Sequence, residues 1–232
     1  MPQNDPKKIF NQACALGYDR QWAEMAPFRD AIHLLIRGIF LDLPQASRIL
    51  CVGAGTGEET LYLAQQFPDF QFVAVEPSPH MLQICRTKAA KLGVVDRCEF
   101  HEDYLNTYSA TQPFDAATSL LVSQFLLDRD ARIDYFRQIA QRLRPGGLLV
   151  TSDLASDTNS AEYERLLQIW MRTLRSGGVA REATEKMRDA YQKDVGVLPP
   201  TEVAHMISTA GFTLPTCFYQ AGLIHAWHAV RS

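Results

Sequence analysis

The chain has no long hydrophobic run: none of its segments approaches the roughly 18 consecutive apolar residues of a membrane span. Membrane-spanning helices are excluded on that ground, and no membrane partner is expected. The opening residues, Met1-Pro-Gln-Asn-Asp-Pro-Lys-Lys8, lack the apolar stretch of a secretory signal, so a cytoplasmic location is expected. An excess of positive charge is missing too. The net charge of −3 gives no general pull toward nucleic acid, and direct nucleic-acid binding is not expected. Cysteines are few, at positions 14, 51, 85, 98 and 217, odd in number and never spaced C-x-x-C. That pattern speaks against a disulfide framework or a zinc ribbon and fits reduced, mostly buried thiols. His225 and His228 stand three apart in an apparent strand and point to opposite faces, so they cannot chelate together, and no metal site is expected.

What is present is an ordinary globular composition, 47% hydrophobic and 21% charged over 232 residues, enough for one full α/β core and short for two independent domains. Residues 1–45 carry helical patterns, one through Phe10, Ala13 and Leu16 to Tyr18-Asp19, another with Phe28, Ala31, Ile32, Leu35, Ile36 and Ile39 on one face. Strands and helices then alternate. Strands are expected over 48–53, 71–75, 97–101, 114–120 and 148–153. The intervening helices start at Thr56, with Glu59 completing a capping box, at Ser78 with Pro79 in first position, and near residue 129. Residues 158–194 form one or two amphipathic helices divided near Ser176-Gly177-Gly178, Thr201 caps another helix, and apolar strands over 213–220 and 223–230 close the chain. The turn between these last two is too short for a crossover, so one strand of a mostly parallel sheet must be reversed.

The first strand runs into Gly53-Ala54-Gly55-Thr56-Gly57, and the second ends on Glu76. A glycine turn followed by an acid at the end of the next strand describes a pocket for an adenosine-bearing cofactor, the acid accepting hydrogen bonds from ribose hydroxyls. A dinucleotide fingerprint needs G-x-G-x-x-G, and its last glycine position is here Glu58. Glu58 and Glu59 at a helix start repel a pyrophosphate but tolerate the sulfonium and ammonium of S-adenosylmethionine.

With these elements in order, the chain resembles the class I S-adenosylmethionine-dependent methyltransferases. The resemblance is carried by Ile49-Leu-Cys-Val-Gly-Ala-Gly-Thr-Gly57, Val73-Ala-Val-Glu-Pro-Ser78, Phe100-His-Glu-Asp-Tyr104, Phe114-Asp115 and Leu143-Arg-Pro-Gly-Gly147. It implies a Rossmann-like α/β fold: a seven-stranded, mostly parallel sheet with one antiparallel strand and helices on both faces. The implied organisation is a single domain, with N-terminal helices and lid (1–45), cofactor-binding core (46–154), inserted helical cover (155–198), and C-terminal helix and hairpin (199–232).

The resemblance also implies roles. Gly53, Ala54, Gly55 and Gly57 pass beneath the methionine part of the cofactor, and Glu76, followed by Pro77, holds the ribose. Met81 packs on adenine, whose amine meets Asp103, with the Tyr104 backbone amide beside it. Ser119 and Leu120 lie below the sulfonium, and Tyr18 folds over the cofactor. One departure stands out: the family usually carries an acid two residues before the first glycine, helping to hold the cofactor's ammonium, and this chain has Cys51 there.

A narrower resemblance covers the C-terminal third. Glu182-Ala-Thr-Glu-Lys-Met-Arg188, Ala210-Gly-Phe212 and the closing hairpin resemble enzymes that make carboxy-S-adenosylmethionine for wobble-uridine modification of tRNA. In that reading Arg188 grips the extra carboxylate of a carboxylated S-adenosylmethionine by two parallel hydrogen bonds. No catalytic base announces itself, and methyl transfer from a sulfonium does not demand one. The expected activity is therefore methyl transfer from S-adenosylmethionine, leaving S-adenosylhomocysteine, to an unidentified small molecule. Alternatives are the carboxylated-cofactor chemistry, a non-catalytic cofactor binder, and an NAD-linked oxidoreductase. A homodimer is the default expectation, from the apolar helical segments and the commonness of two-fold pairs.

Overall fold

The computed structural model describes residues 5–232. Helices α1 (Pro6–Ile9), α2 (Gln12–Gln21) and α3 (Ala26–Phe40) come first. Then follow β1 (Arg48–Val52), α4 (Glu58–Gln66), β2 (Gln71–Val75), α5 (Pro79–Lys91), β3 (Cys98–His101), β4 (Phe114–Leu120), α6 (Arg129–Arg142) and β5 (Leu143–Leu154). The chain closes with α7 (Ala161–Ser176), α8 (Arg181–Lys193), α9 (Pro200–Thr209), β6 (Thr216–Ala221) and β7 (Ile224–Val230).

The strands make one seven-stranded sheet in the order β3-β2-β1-β4-β5-β7-β6. β1 to β5 are mutually parallel, and β7 runs antiparallel to both β5 and β6, so β7 is the expected reversed strand. The central strands are buried on both faces, which is why they read as continuous apolar runs rather than alternating ones. Ile49, Cys51, Phe72 and Ala74 pack to one side with Ile36, Leu63 and Leu82, while Leu50, Val73, Val75 and Ala117 pack to the other with Phe136, Ile139 and Val203. Each such branched or aromatic side chain contributes roughly 1.5–3 kcal/mol by leaving water.

Local signals set several ends. The Ser78 hydroxyl accepts from the Met81 amide at 3.3 Å, and Pro79 opens α5. That helix closes at Gly93, whose φ of +68° lets the Val94 amide reach back to the Ala89 carbonyl at 3.0 Å. Three expected details are corrected. The capping box at Thr56 does not form: Gly57, at φ +86°, precedes α4, the Thr56 hydroxyl donates to Asp19, and the Glu59 side chain turns inward to Thr118. Thr201 is not a cap. Pro200 already begins α9, because its missing N–H and fixed φ suit the first position. Finally, β5 begins at Leu143 rather than 148, with Arg144-Pro145-Gly146-Gly147 inside it as an irregularity where pairing with β4 slips between Phe114 and Ala116. Asp115 fills that slip, accepting from Arg144 Nε at 2.7 Å and from the Arg48 amide at 2.9 Å.

The excursion between β5 and α9 starts and ends side by side, because Ala155 and Leu198 form a parallel bridge. Its helices turn their aromatics inward. Trp170 donates from Nε1 to the Tyr191 hydroxyl at 3.1 Å and meets Phe28 edge-on at 5.7 Å, and Tyr163 and Met171 are buried in the same cluster as Ile32. The apolar side of this segment is thus used within the chain. Among the described residues no helix is long and apolar enough to cross a membrane.

Candidate cofactor-binding site

Chain order along the sheet reverses between β1 and β4, and the loops at their carboxyl ends frame a crevice of the kind that receives nucleotides. The glycine turn lies on one side of it. Gly53, Gly55 and Gly57 all have positive φ, at +71°, +55° and +86°. A Cβ at Gly53 would stand 2.4 Å from Val122 Cγ2, and one at Gly57 2.4 Å from Cys85 Sγ, so close packing adds to the backbone demand at these two positions. Gly55 differs: its nearest neighbour would be Met81 Cε at 3.7 Å, which leaves this glycine open toward the crevice and sets Met81 beside it.

Glu76 ties the two strand ends together. Its carboxylate accepts from the Gly55 amide at 3.0 Å and from the Ser78 amide at 2.8 Å. Burial pushes its pKa up, and the two amide bonds oppose that rise. Pro77 separates Glu76 from the Ser78 cap and so fixes the bend between β2 and α5. Ala54 is buried in the turn and donates its amide to the Val75 carbonyl at 3.1 Å.

The N-terminal arm crosses the crevice. The Tyr104 hydroxyl donates to Asp5 at 2.5 Å, Lys7 pairs with Asp103 at 2.8 Å, and the Ser78 hydroxyl donates to the Phe10 carbonyl at 2.6 Å. The Phe10 ring stands edge-on to Phe125 at 6.1 Å, beyond the end of β4. Tyr18 follows, its ring 6.2 Å from Phe10 and 6.3 Å from Trp22, and burial raises its hydroxyl pKa to about 12. The neighbouring Asp19 latches α2 to the glycine turn, accepting from Thr56 at 2.6 Å and pairing with Lys88 at 2.6 Å.

Gly55, Glu76 and Met81 thus lie together at the strand ends, while other sequence-predicted residues have partners of their own. Asp103 is half-buried and bound to Lys7, whose hydrogen bond holds its carboxyl below the usual range, and the Tyr104 amide donates back to Asp103 at 2.9 Å. The Ser119 side chain is buried and shares a hydrogen bond with the Tyr135 hydroxyl at 2.7 Å, while Leu120 packs half-buried against the core. Arg188 lies on the α7–α8 surface and donates to Glu164 at 2.5 Å. Glu58 is neutralised by Lys88 at 2.5 Å and Arg29 at 2.8 Å, so the acidity facing the turn comes from Glu76 and Glu59 instead. Asp153, at the end of β5, is fully buried and fully engaged, accepting from Ser123 at 2.6 Å and the Gln124 amide at 2.9 Å and pairing with Arg132 at 3.0 Å. Arg132 was not legible as a site-forming residue. It sits in a charged helical stretch, and only the fold shows it carrying Ser123 and the Gly196 carbonyl, 2.8 Å from Nε and Nη1 respectively.

Fold and crevice together define a Rossmann-like, seven-stranded mixed sheet with an open cleft at its switch point. Residues 49–147 match the family model described as a methyltransferase domain. The O-methyltransferase cnsE of Penicillium expansum is 31% identical over 121 residues, which are 52% of this chain and 42% of that protein. The erythromycin 3''-O-methyltransferase of Saccharopolyspora erythraea is 26% identical over 113 residues, 48% of this chain and 36% of that one. The chain thus spans less than half the length of these curated relatives. Among solved structures, the N-methyltransferase NodS of Bradyrhizobium japonicum WM9, in complex with S-adenosylhomocysteine, superposes with a TM-score of 0.60 at 16% identity, covering 88% of each chain.

Proposed function

We propose that this chain is an S-adenosylmethionine-dependent methyltransferase acting on a small molecule. The observation that carries the reading is the Glu76 carboxylate bridging the Gly55 and Ser78 amides at the switch point, beside a glycine left open toward the crevice. Bound S-adenosylmethionine supplies an activated methyl on a positively charged sulfur with a neutral leaving group. The protein's task is then alignment and exclusion of water. Gly53, Ala54, Gly55 and Gly57 floor the amino-acid portion. Glu76, on the bend fixed by Pro77, orients the ribose hydroxyls, and Met81 and Asp103 with the Tyr104 amide bound the adenine. The Ser119 and Leu120 backbone closes the site below the sulfur. Residues 1–45, with Tyr18, serve as the lid, and residues 155–198 as the cover on the acceptor side.

A small acceptor is supported by the similarity to the erythromycin 3''-O-methyltransferase. The test is turnover of S-adenosylmethionine to S-adenosylhomocysteine with a fractionated metabolite extract. Product formation dependent on one fraction is expected, and none with any fraction would sink the enzymatic reading. The second reading, carboxy-S-adenosylmethionine synthesis, rests on the resemblance at Arg188. It requires that guanidinium to leave Glu164, so the pairing of these two residues favours methyl transfer. Arg188→Ala should leave S-adenosylmethionine binding unchanged; loss of binding confined to the carboxylated cofactor would favour the second reading.

A further inference from the structure

Glu59 is a buried acid whose charge has no cationic partner among the described residues. It is the second residue of α4 and is 9% exposed, and its carboxylate accepts the Thr118 hydroxyl and lies in hydrogen-bond contact with the Cys51 thiol. Cys51 on β1 and Thr118 on β4 are paired neighbours across the boundary where chain order reverses. Each stands close to its strand's carboxyl end, which places Glu59 directly beneath the crevice. The adjacent Glu58 takes both Arg29 and Lys88; among the described residues no arginine, lysine or histidine pairs with Glu59. Burial accordingly raises its pKa, opposed only by the two neutral hydrogen bonds. A lone carboxylate in such a place is costly, and its cost falls when a ligand cation arrives.

We propose that Glu59 is the acid that receives the α-ammonium of the S-adenosyl ligand, delivered from the first turn of α4 in place of the acid that Cys51 does not supply. The inference rests on the cofactor reading above and adds to it a specific charge contact on an unexpected element. Its chemistry is that of a carboxylate reading a primary ammonium at the β1–β4 junction. Thr118 and Cys51 orient the carboxylate from below. The glycine turn, being free of side chains, allows the cation to approach.

Titration calorimetry with S-adenosylhomocysteine, its deaminated analogue and 5'-methylthioadenosine, which lacks the amino-acid portion, separates the outcomes. The wild-type protein should prefer S-adenosylhomocysteine to the deaminated analogue by about tenfold to a hundredfold, the range of a charge-assisted hydrogen bond. Glu59→Gln should erase that preference and leave 5'-methylthioadenosine binding unchanged. Cys51→Asp combined with Glu59→Gln returns an acid to the junction and should restore the preference, which covers the case in which the single variant does not fold. Equal wild-type affinity for the first two ligands, or a Glu59→Gln loss shared equally by all three, overturns the assignment. Wild-type protein that binds none of them would instead remove the cofactor reading itself.

Discussion

Arg132 and Asp153 meet at 3.0 Å with 1% and 0% of their side chains exposed. This pair fastens three pieces of the fold: α6 through Arg132, the exit of β4 through Ser123 and the Gln124 amide, and the end of the cover through the Gly196 carbonyl. Burial raises the Asp153 pKa, and the Arg132 guanidinium pulls it back toward the charged form. Removing one partner strands a charge in the interior. Arg132→Met or Asp153→Leu alone should therefore cost about 3–5 kcal/mol in urea unfolding, whereas the two together should cost clearly less than the sum. Additive losses would mean that the two charges act independently.

The three glycines of the turn should not respond alike. Gly53→Ala meets Val122 at 2.4 Å on top of a φ of +71°, while Gly55→Ala meets Met81 at 3.7 Å and bears only the backbone strain. The expected losses are about 1 kcal/mol for Gly55→Ala and at least about 2 kcal/mol for Gly53→Ala. Denaturant midpoints at constant m-value give the comparison. Equal losses would mean that Val122 yields without cost.

His33 makes the fold acid-sensitive. It is buried on α3, its ring stacked on Tyr62 at 5.2 Å, and burial, helped by nearby Arg29, lowers its pKa to about 4. The unfolded chain takes up the proton near pH 6.5 and the native state does not, so stability present above pH 6.5 is lost as the pH falls toward 4 and is constant below. The full loss is about 3 kcal/mol. A His33→Phe variant should lack this component, so the difference between the two unfolding curves should be flat above pH 6.5 and change only in that window. A difference independent of pH would show that His33 titrates alike in the native and unfolded states.

Much of this was legible from residues alone, for identifiable reasons. The central strands were readable because both faces are buried, which leaves uninterrupted apolar runs such as Phe72–Val75. Ser78-Pro79 marked a helix start because a side-chain acceptor and a fixed φ act locally. Glu59 misled for the same kind of reason: a glutamate three residues after a threonine looks like a reciprocal cap, and only tertiary packing reveals that Thr118 and Asp19 claim the two side chains. The arm contacts Lys7–Asp103 and Asp5–Tyr104 join residues distant in sequence, and no local pattern encodes such pairs. Arg132 looked like part of a solvated face because a charged residue in a charged stretch carries no sign of what will pack against it.

The most direct measurement is calorimetric titration of ligand-stripped protein with S-adenosylmethionine and S-adenosylhomocysteine, repeated on Glu76→Ala. The wild type should release or absorb heat with both ligands and give none with NADH. Glu76→Ala should bind both at least about tenfold more weakly, because the ribose loses a charged acceptor and the Gly55 and Ser78 amides lose their shared anchor. No heat from the wild type with either ligand, or an unaltered affinity in Glu76→Ala, would contradict the assignment of this crevice.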